Sequence, residues 1–338
     1  MVIERLGPVG ETPLALVERP EPSPGPGQVL IRVSACGVCH TELDEIEGRT
    51  PPPRLPVIPG HQVVGRVAAL GPGVRGLAVG DRVGVAWIFR ADGQCPHCRR
   101  GDENLCPRFT ATGRDADGGY ADAMVAPADF VHRIPDGIGD AQAAPLLCAG
   151  AVGHRSLRLT RLEDGQRLGL TGFGASAHLV LQLARHQYPR SPVFVFARHE
   201  AERAFARELG AAWTGDTGER APEKLDAIID TTPAWTPVVA ALGNLDRGGR
   251  LVINAIRKED GDKAALLGLD YAQHLWLERE VKSVANVSRR DVAELLRLAA
   301  AIPLRPEIEE YPLEDANRAL VELRARRIRG AKVLRVSG

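Results

Sequence analysis

Lysine is almost missing from this chain: five residues against 38 arginines, none of them before Lys224. Methionine is nearly as scarce, with two residues, whereas proline reaches 25. That skew suits a GC-rich genome, and thermophily is a second way to produce it. Net charge is missing too. Forty-three basic residues balance 43 acidic ones, so nothing electrostatic draws the chain to nucleic acid or an anionic membrane. No apolar run approaches the roughly 20 residues that span a bilayer. The start, Met1-Val2-Ile3-Glu4-Arg5, lacks the apolar core of a signal peptide. The expectation is a soluble, cytoplasmic protein with small-molecule partners, no nucleic acid and no membrane.

What is there comes in clusters. The 338 residues leave room for two domains. Of six cysteines, Cys36, Cys39, Cys95, Cys98 and Cys106 fall in the first third, and only Cys148 comes later. A cytoplasmic chain of this size does not need disulfides, so the clustering points to metal or redox chemistry.

The first 150 residues read as short strands punctuated by Pro and Gly: Gln28–Ala35, Val63–Leu70 and Asp81–Ala86. From Ala151 strands and helices alternate. Strands are expected at Gln166–Thr171, Pro192–Ala197, Leu225–Asp230, Gly249–Asn254 and Val281–Ala285. Helices are expected at Ala175–Arg185, Glu200–Leu209, Thr236–Leu242 and Tyr271–Glu278. Such alternation demands a parallel sheet covered on both faces. Beyond Val287 the pattern gives helices Asp291–Ala301 and Leu313–Ala325, an extended piece near Glu307 and a strand Ala331–Val336.

Three constellations carry chemistry. Gly172-Phe173-Gly174-Ala175-Ser176-Ala177 lies between a strand and a helix and fits G-x-G-x-x-G/A. The first Gly permits the turn, the second lets the backbone approach a pyrophosphate, and Ala177 lets helix pack on strand. A helix N-terminus then faces the phosphates. About 20 residues on, where NAD enzymes carry an acid for the adenosine ribose, stand Ala197 and Arg198. Arg198 can grip a 2′-phosphate with parallel N–H···O bonds, which favours NADP(H) over NAD(H).

The second constellation is Cys36-Gly37-Val38-Cys39-His40-Thr41-Glu42-Leu43, with Pro59-Gly60-His61-Gln62 further on and Cys148 in Leu146-Leu147-Cys148-Ala149-Gly150. Two thiolates and an imidazole with a fourth position open are the ligands of catalytic zinc. A Cys36/Cys39 redox pair is the alternative, without the thioredoxin context. The third is Asp92-x-x-Cys95-x-x-Cys98-x7-Cys106, a polar segment suited to a closed tetrahedral zinc. Asp92 continues the three-residue spacing and supplies a thiolate's charge; His97 is the other candidate for the missing ligand.

These motifs, in order and nearly end to end, resemble the zinc-containing alcohol dehydrogenases of the medium-chain dehydrogenase/reductase superfamily. The carriers are residues 36–43, 59–61, 101–106 (GDENLC), 146–150 and 172–174. The resemblance implies an α/β chain with a Rossmann doubly wound parallel sheet domain, 151–287, set within a GroES-like mainly-β catalytic domain, 1–150 and 288–338. It implies a zinc-dependent alcohol dehydrogenase or aldehyde reductase, with one catalytic and one structural zinc and reversible hydride transfer between a primary or secondary alcohol and NAD(P). It further implies a homodimer or homotetramer, often joined through edge strands of the Rossmann sheet.

Carried over by position, Cys39, His61 and Cys148 hold the catalytic zinc; Asp92, Cys95, Cys98 and Cys106 hold the structural one. Cys36 is a buried bystander. Thr41 bonds the substrate oxygen, Glu42 orients the His ligand, and Trp87 walls the substrate pocket. Four departures stand out. Gln62 replaces a usual Glu, and Asp92 a usual Cys. Asp44 stands where many members end the proton relay in a His; an exposed carboxylate titrates near pH 4, so the relay ends in water, in His40, or in an Asp44 of raised pKa. Ala331 stands near a usual pyrophosphate-binding Arg, with Arg329 and Lys332 the available substitutes. A polyol or threonine-type dehydrogenase would share nearly every motif, and Gln62 and Asp44 leave open a non-catalytic zinc and nucleotide binder. A zinc-free quinone or enoyl reductase would lack both cysteine sets.

Overall fold

The computed structural model describes residues 1–326 and 328–336. The chain divides into two compact units, Met1–Ala151 with Asn286–Gly338, and Val152–Ala285. The architecture is α/β, with a mainly antiparallel sheet in the first unit and a parallel sheet in the second.

The first unit is organised by one long strand. Gln28–Val38 alternates β-branched residues with small or polar ones and buries Val29, Ile31, Val33 and Cys36. It pairs antiparallel with Val63–Leu70, with Ala123–Pro127 and with the final strand Ala331–Arg335. Val333 lies opposite Gly37, so the last described strand pairs with the long strand two residues before Cys39. Aliphatic side chains from these strands and from the helix Ala316–Arg324 form one core, with Leu320 and Leu334 fully buried. That core is what holds Cys39 in place.

The second unit carries a six-stranded parallel sheet in the order 213–215, 193–196, 168–171, 225–230, 245–253, 280–283. Strand Leu168–Thr171 has Val193–Phe196 on one side and Leu225–Asp230 on the other. Succession therefore reverses at its C-terminal end, the place where open α/β sheets bind ligands. All four residues of that strand are buried. The helix Ala177–Gln187 follows with seven buried residues, as an apolar stripe against a sheet requires.

One expected element is absent. Tyr271–Glu278 does not form an α-helix: Tyr271–Leu275 is a single wide i→i+5 turn, and Leu277 and Glu278 have φ of 72° and 63°. Tyr271 is 64% and Trp276 54% exposed, so the apolar residues that suggested a core face have no core to cover within this unit. Among the described residues, no helix is long and apolar enough to cross a membrane.

Candidate active site

Cys39 stands between the strand Gln28–Val38 and the helix His40–Ile46, with extended backbone, and caps that helix. Its N–H donates to Glu42 Oε2 at 2.8 Å. The other oxygen, Glu42 Oε1, meets His61 Nδ1 at 2.5 Å, both side chains being buried. One carboxylate thus completes the helix cap and ties down the imidazole. Gly60 makes the approach possible. Its φ is 99°, and a Cβ there would come within 2.4 Å of the Tyr120 ring, so only glycine lets the turn before His61 sit where it does.

Cys148 arrives by a different device. The helix Asp140–Pro145 ends on a proline, which offers no N–H, and the next five residues, Leu146–Gly150, widen into a π turn. Single π turns recur at functional sites because they re-aim a side chain. The ligand atoms of Cys39, His61 and Cys148 lie within 4.8 Å of one another. Cys36, three residues from Cys39, is outside that group: it is fully buried, and burial first, then Glu42, pushes its thiol well up.

The fit to a metal rests on His61 Nε2. That atom is buried and has no hydrogen-bond partner, a state that costs the full desolvation penalty of the group. Its neighbours are two thiols. Contact with Cys148 first, and His61 after it, holds Cys39 well below the usual thiol range, while the same contact and burial hold Cys148 well above it. An imidazole fixed through Nδ1, with Nε2 aimed at a thiol pair, is the donor set of zinc.

The residues around this group divide. Thr41 is buried, with Oγ1 3.6 Å from Cys39 Sγ, whereas His40 is exposed on the first turn. Asp44 is buried and accepts from Arg49 Nε at 2.5 Å. An acceptor already held by a guanidinium is a poor terminus for a relay. Glu45 is a residue that sequence reasoning passed over: it is 1% exposed, neither carboxylate oxygen has a hydrogen-bond partner, and burial with repulsion from Glu42 pushes its carboxyl well up. Trp87 packs at 4.9 Å on Phe109 in a small cluster with Ile88, Ala111 and Phe130. Lys332 is no substitute for the pyrophosphate arginine. Its side chain is wholly buried and donates to Glu309 at 2.6 Å and Glu322 at 2.8 Å. Arg329 pairs with Glu307 at 3.4 Å.

In the cysteine lobe, ligand atoms of Asp92, Cys95, Cys98 and Cys106 also lie within 4.8 Å of one another. Asp92 Oδ1 accepts from the amides of Gln94 and Cys95, and Oδ2 from Arg108 Nε and Nη2 at 3.0 and 2.7 Å. The Cys95 amide first, then the other donors, holds this carboxyl well below the usual range. Burial raises Cys98 to about 12. His97 is turned instead towards Arg100, 3.0 Å from Nδ1.

In the second unit, Gly172 has φ 78°, and a Cβ there would press within 3.0 Å of Thr231 Oγ1 and Thr232 Cγ2. Phe173 is buried edge-on against Phe205, and Gly174 leads through Ala175 and Ser176 to the helix that starts at Ala177. Ala197 is buried at the end of the next strand, and Arg198 after it is exposed. Arg203 Nη1 donates to both carbonyls, of Ala197 at 2.7 Å and Arg198 at 3.1 Å, and so braces the backbone from which Arg198 projects.

Residues 25–136 match the alcohol dehydrogenase GroES-like domain family. The chain is 45% identical over 337 residues to "Probable alcohol dehydrogenase AdhA" of Mycobacterium tuberculosis, covering 98% of this chain and 95% of that one. It is 33% identical over 329 residues to an alcohol dehydrogenase of Geobacillus stearothermophilus, covering 95% and 94%. A solved structure of the cobalt- and zinc-bound thermostable alcohol dehydrogenase from Pyrobaculum aerophilum superposes with a TM-score of 0.86 at 26% identity, covering 99% and 98%.

Proposed function

The chain belongs to the zinc-type alcohol dehydrogenases of the medium-chain dehydrogenase/reductase superfamily, and we propose that its activity depends on zinc, favours NADP(H) and interconverts an alcohol and its aldehyde or ketone reversibly. The reading rests above all on the buried, unpartnered Nε2 of His61 beside Cys39 and Cys148. It is supported by the zinc in the Pyrobaculum relative and, for the cofactor, by exposed Arg198 where an acid would exclude a 2′-phosphate.

Cys39, His61 and Cys148 would hold the catalytic metal, and Glu42 keeps His61 in the tautomer that leaves Nε2 free to bind. When bound, zinc supplies a Lewis acid for the substrate oxygen and the nicotinamide supplies the hydride acceptor or donor. Thr41 Oγ1, beside Cys39 Sγ, would hydrogen-bond the substrate oxygen and accept the alcohol proton while passing its own hydroxyl proton on. With Asp44 held by Arg49, that proton leaves through water at exposed His40. Gly172, Gly174, Ser176 and the start of the helix at Ala177 would carry the pyrophosphate. Asp92, Cys95, Cys98 and Cys106 would close a structural zinc site.

We read the assembly as a homodimer or homotetramer. Every residue of the sheet's edge strand Glu280–Ser283 is exposed, and an uncovered edge is a template for a second copy.

The test is an initial-rate panel: NADPH against NADH, over short, long and aromatic aldehydes, with and without zinc removal. The reading requires turnover of at least one aldehyde, preference for NADPH, and loss of turnover on chelation. Turnover that survives complete zinc removal, or no turnover at all, contradicts it.

A further inference from the structure

One of the five lysines tucks its side chain in at the C-terminal rim of the parallel sheet. Lys258 is 7% exposed at its side chain and Asp230, its ion-pair partner, 0%. The ammonium donates to Asp230 Oδ2 and to the carbonyls of Thr232 at 2.7 Å and Ala234 at 3.1 Å. A lysine has three N–H donors, so all are taken and none remains for a ligand. Whatever Lys258 does for binding, it does through the segments it joins.

Those segments are the loops that leave two neighbouring strands, Leu225–Asp230 and Leu245–Ile253. Lys258 and the Glu259 amide, which donates to Pro233 O at 2.6 Å, fasten the second loop to the first. Each loop in turn touches the glycine turn. Thr231 donates to Thr171 O from both N and Oγ1, at 2.9 and 3.0 Å, and lies where a Cβ on Gly172 would go. Asn254 Nδ2 reaches Ser176 Oγ at 3.2 Å. One buried cation thus ties both loops, and through them both ends of the segment Thr171–Ser176.

Replacing a buried ion pair by an apolar pair of similar volume is often neutral or stabilising, so such a pair is weak evidence of a stability role. The strand needs no such help, having parallel partners on both sides. We propose that Lys258 is a positioning residue for the dinucleotide: its pairing with Asp230 sets both loops against the phosphate-binding turn. This rests on the reading of that turn as a dinucleotide site.

The test measures the Kd of NADPH and NADH by fluorescence titration, with melting temperature and zinc content, in the wild type and in two double variants, D230N/K258M and D230N/K258Q. Neither double leaves a lone buried charge; K258Q keeps a donor and is the second route to a folded protein. Positioning predicts that both dinucleotides bind roughly tenfold or more weakly at near-normal melting temperature and zinc content. A folded double that binds as tightly as wild type overturns the proposal. So does weakened binding only alongside lost zinc, or failure of both doubles to fold; each assigns the pair to stability. A wild type that binds neither dinucleotide overturns the parent reading instead.

Discussion

Glu42 and His61 share a 2.5 Å hydrogen bond in which both side chains are buried, and its consequence is directional. With Nδ1 engaged, Nε2 is the only nitrogen of the ring left to face Cys39 and Cys148. The same carboxylate receives the Cys39 amide, so one acidic residue orients two of the three candidate ligands.

Glu42→Ala is therefore expected to weaken zinc binding at this site about 10- to 100-fold. Competition with a calibrated chelator measures it. Unchanged affinity would mean that the packing of Pro59 and Gly60, and not the hydrogen bond, sets the imidazole.

Arg198→Ala should raise the KM for NADPH by about 10-fold or more, in keeping with about 1.5–3 kcal/mol for a charge-assisted hydrogen bond, and leave that for NADH little changed. Arg198 is exposed and followed by a helix braced on its own carbonyl by Arg203, so the fold should tolerate the change. Equal effects on the two cofactors would remove the case for a 2′-phosphate site.

Asp92→Ala should leave about one zinc per chain where the wild type holds about two, with a lower melting temperature; Asp92→Cys should keep both. The carboxylate caps the amides of Gln94 and Cys95 and is gripped by Arg108, so its loss opens the lobe in more than one place. Metal analysis of freshly purified variants decides it.

Asp140 carries a pH signature. Burial acts to raise its carboxyl, but hydrogen bonds from Ser34 Oγ at 2.6 Å and Arg82 Nε at 2.5 Å outweigh burial and hold it below its ordinary value. A carboxyl depressed in the folded state stabilises above its unfolded pKa, near 3.9, and that stability is lost as pH falls through the folded value. Asp140→Asn should be less stable than wild type by roughly 1–3 kcal/mol at pH 7. The gap should close as pH drops below about 4. Urea midpoints of the two proteins across that range test it; a gap independent of pH would assign the effect to packing.

Much of the fold was legible because period and punctuation agree with burial. Leu225–Asp230 and Val63–Leu70 stand at the expected bounds. Tyr271–Glu278 carries an apolar pattern with no core beneath it, since Tyr271 and Trp276 stay exposed, a fact no local period records. Cys39, His61 and Cys148 could be grouped only through the family resemblance, since they meet across more than a hundred residues and no local spacing links them. The pairing of Asp44 with Arg49 is not legible in the helix pattern, because Arg49 lies five residues on, just past the helix His40–Ile46. The pairing of Lys258 with Asp230 has no sequence signal, being a contact between a strand end and a loop 28 residues on.

Zinc content, turnover and NADPH binding, measured together in Cys39→Ser, test the central claim most directly. If Cys39, His61 and Cys148 hold the metal that activates the substrate, this variant retains only the structural zinc, about one per chain, loses alcohol–aldehyde interconversion, and still binds NADPH as the wild type does. A Cys39→Ser protein that keeps its full zinc content and its activity contradicts the account.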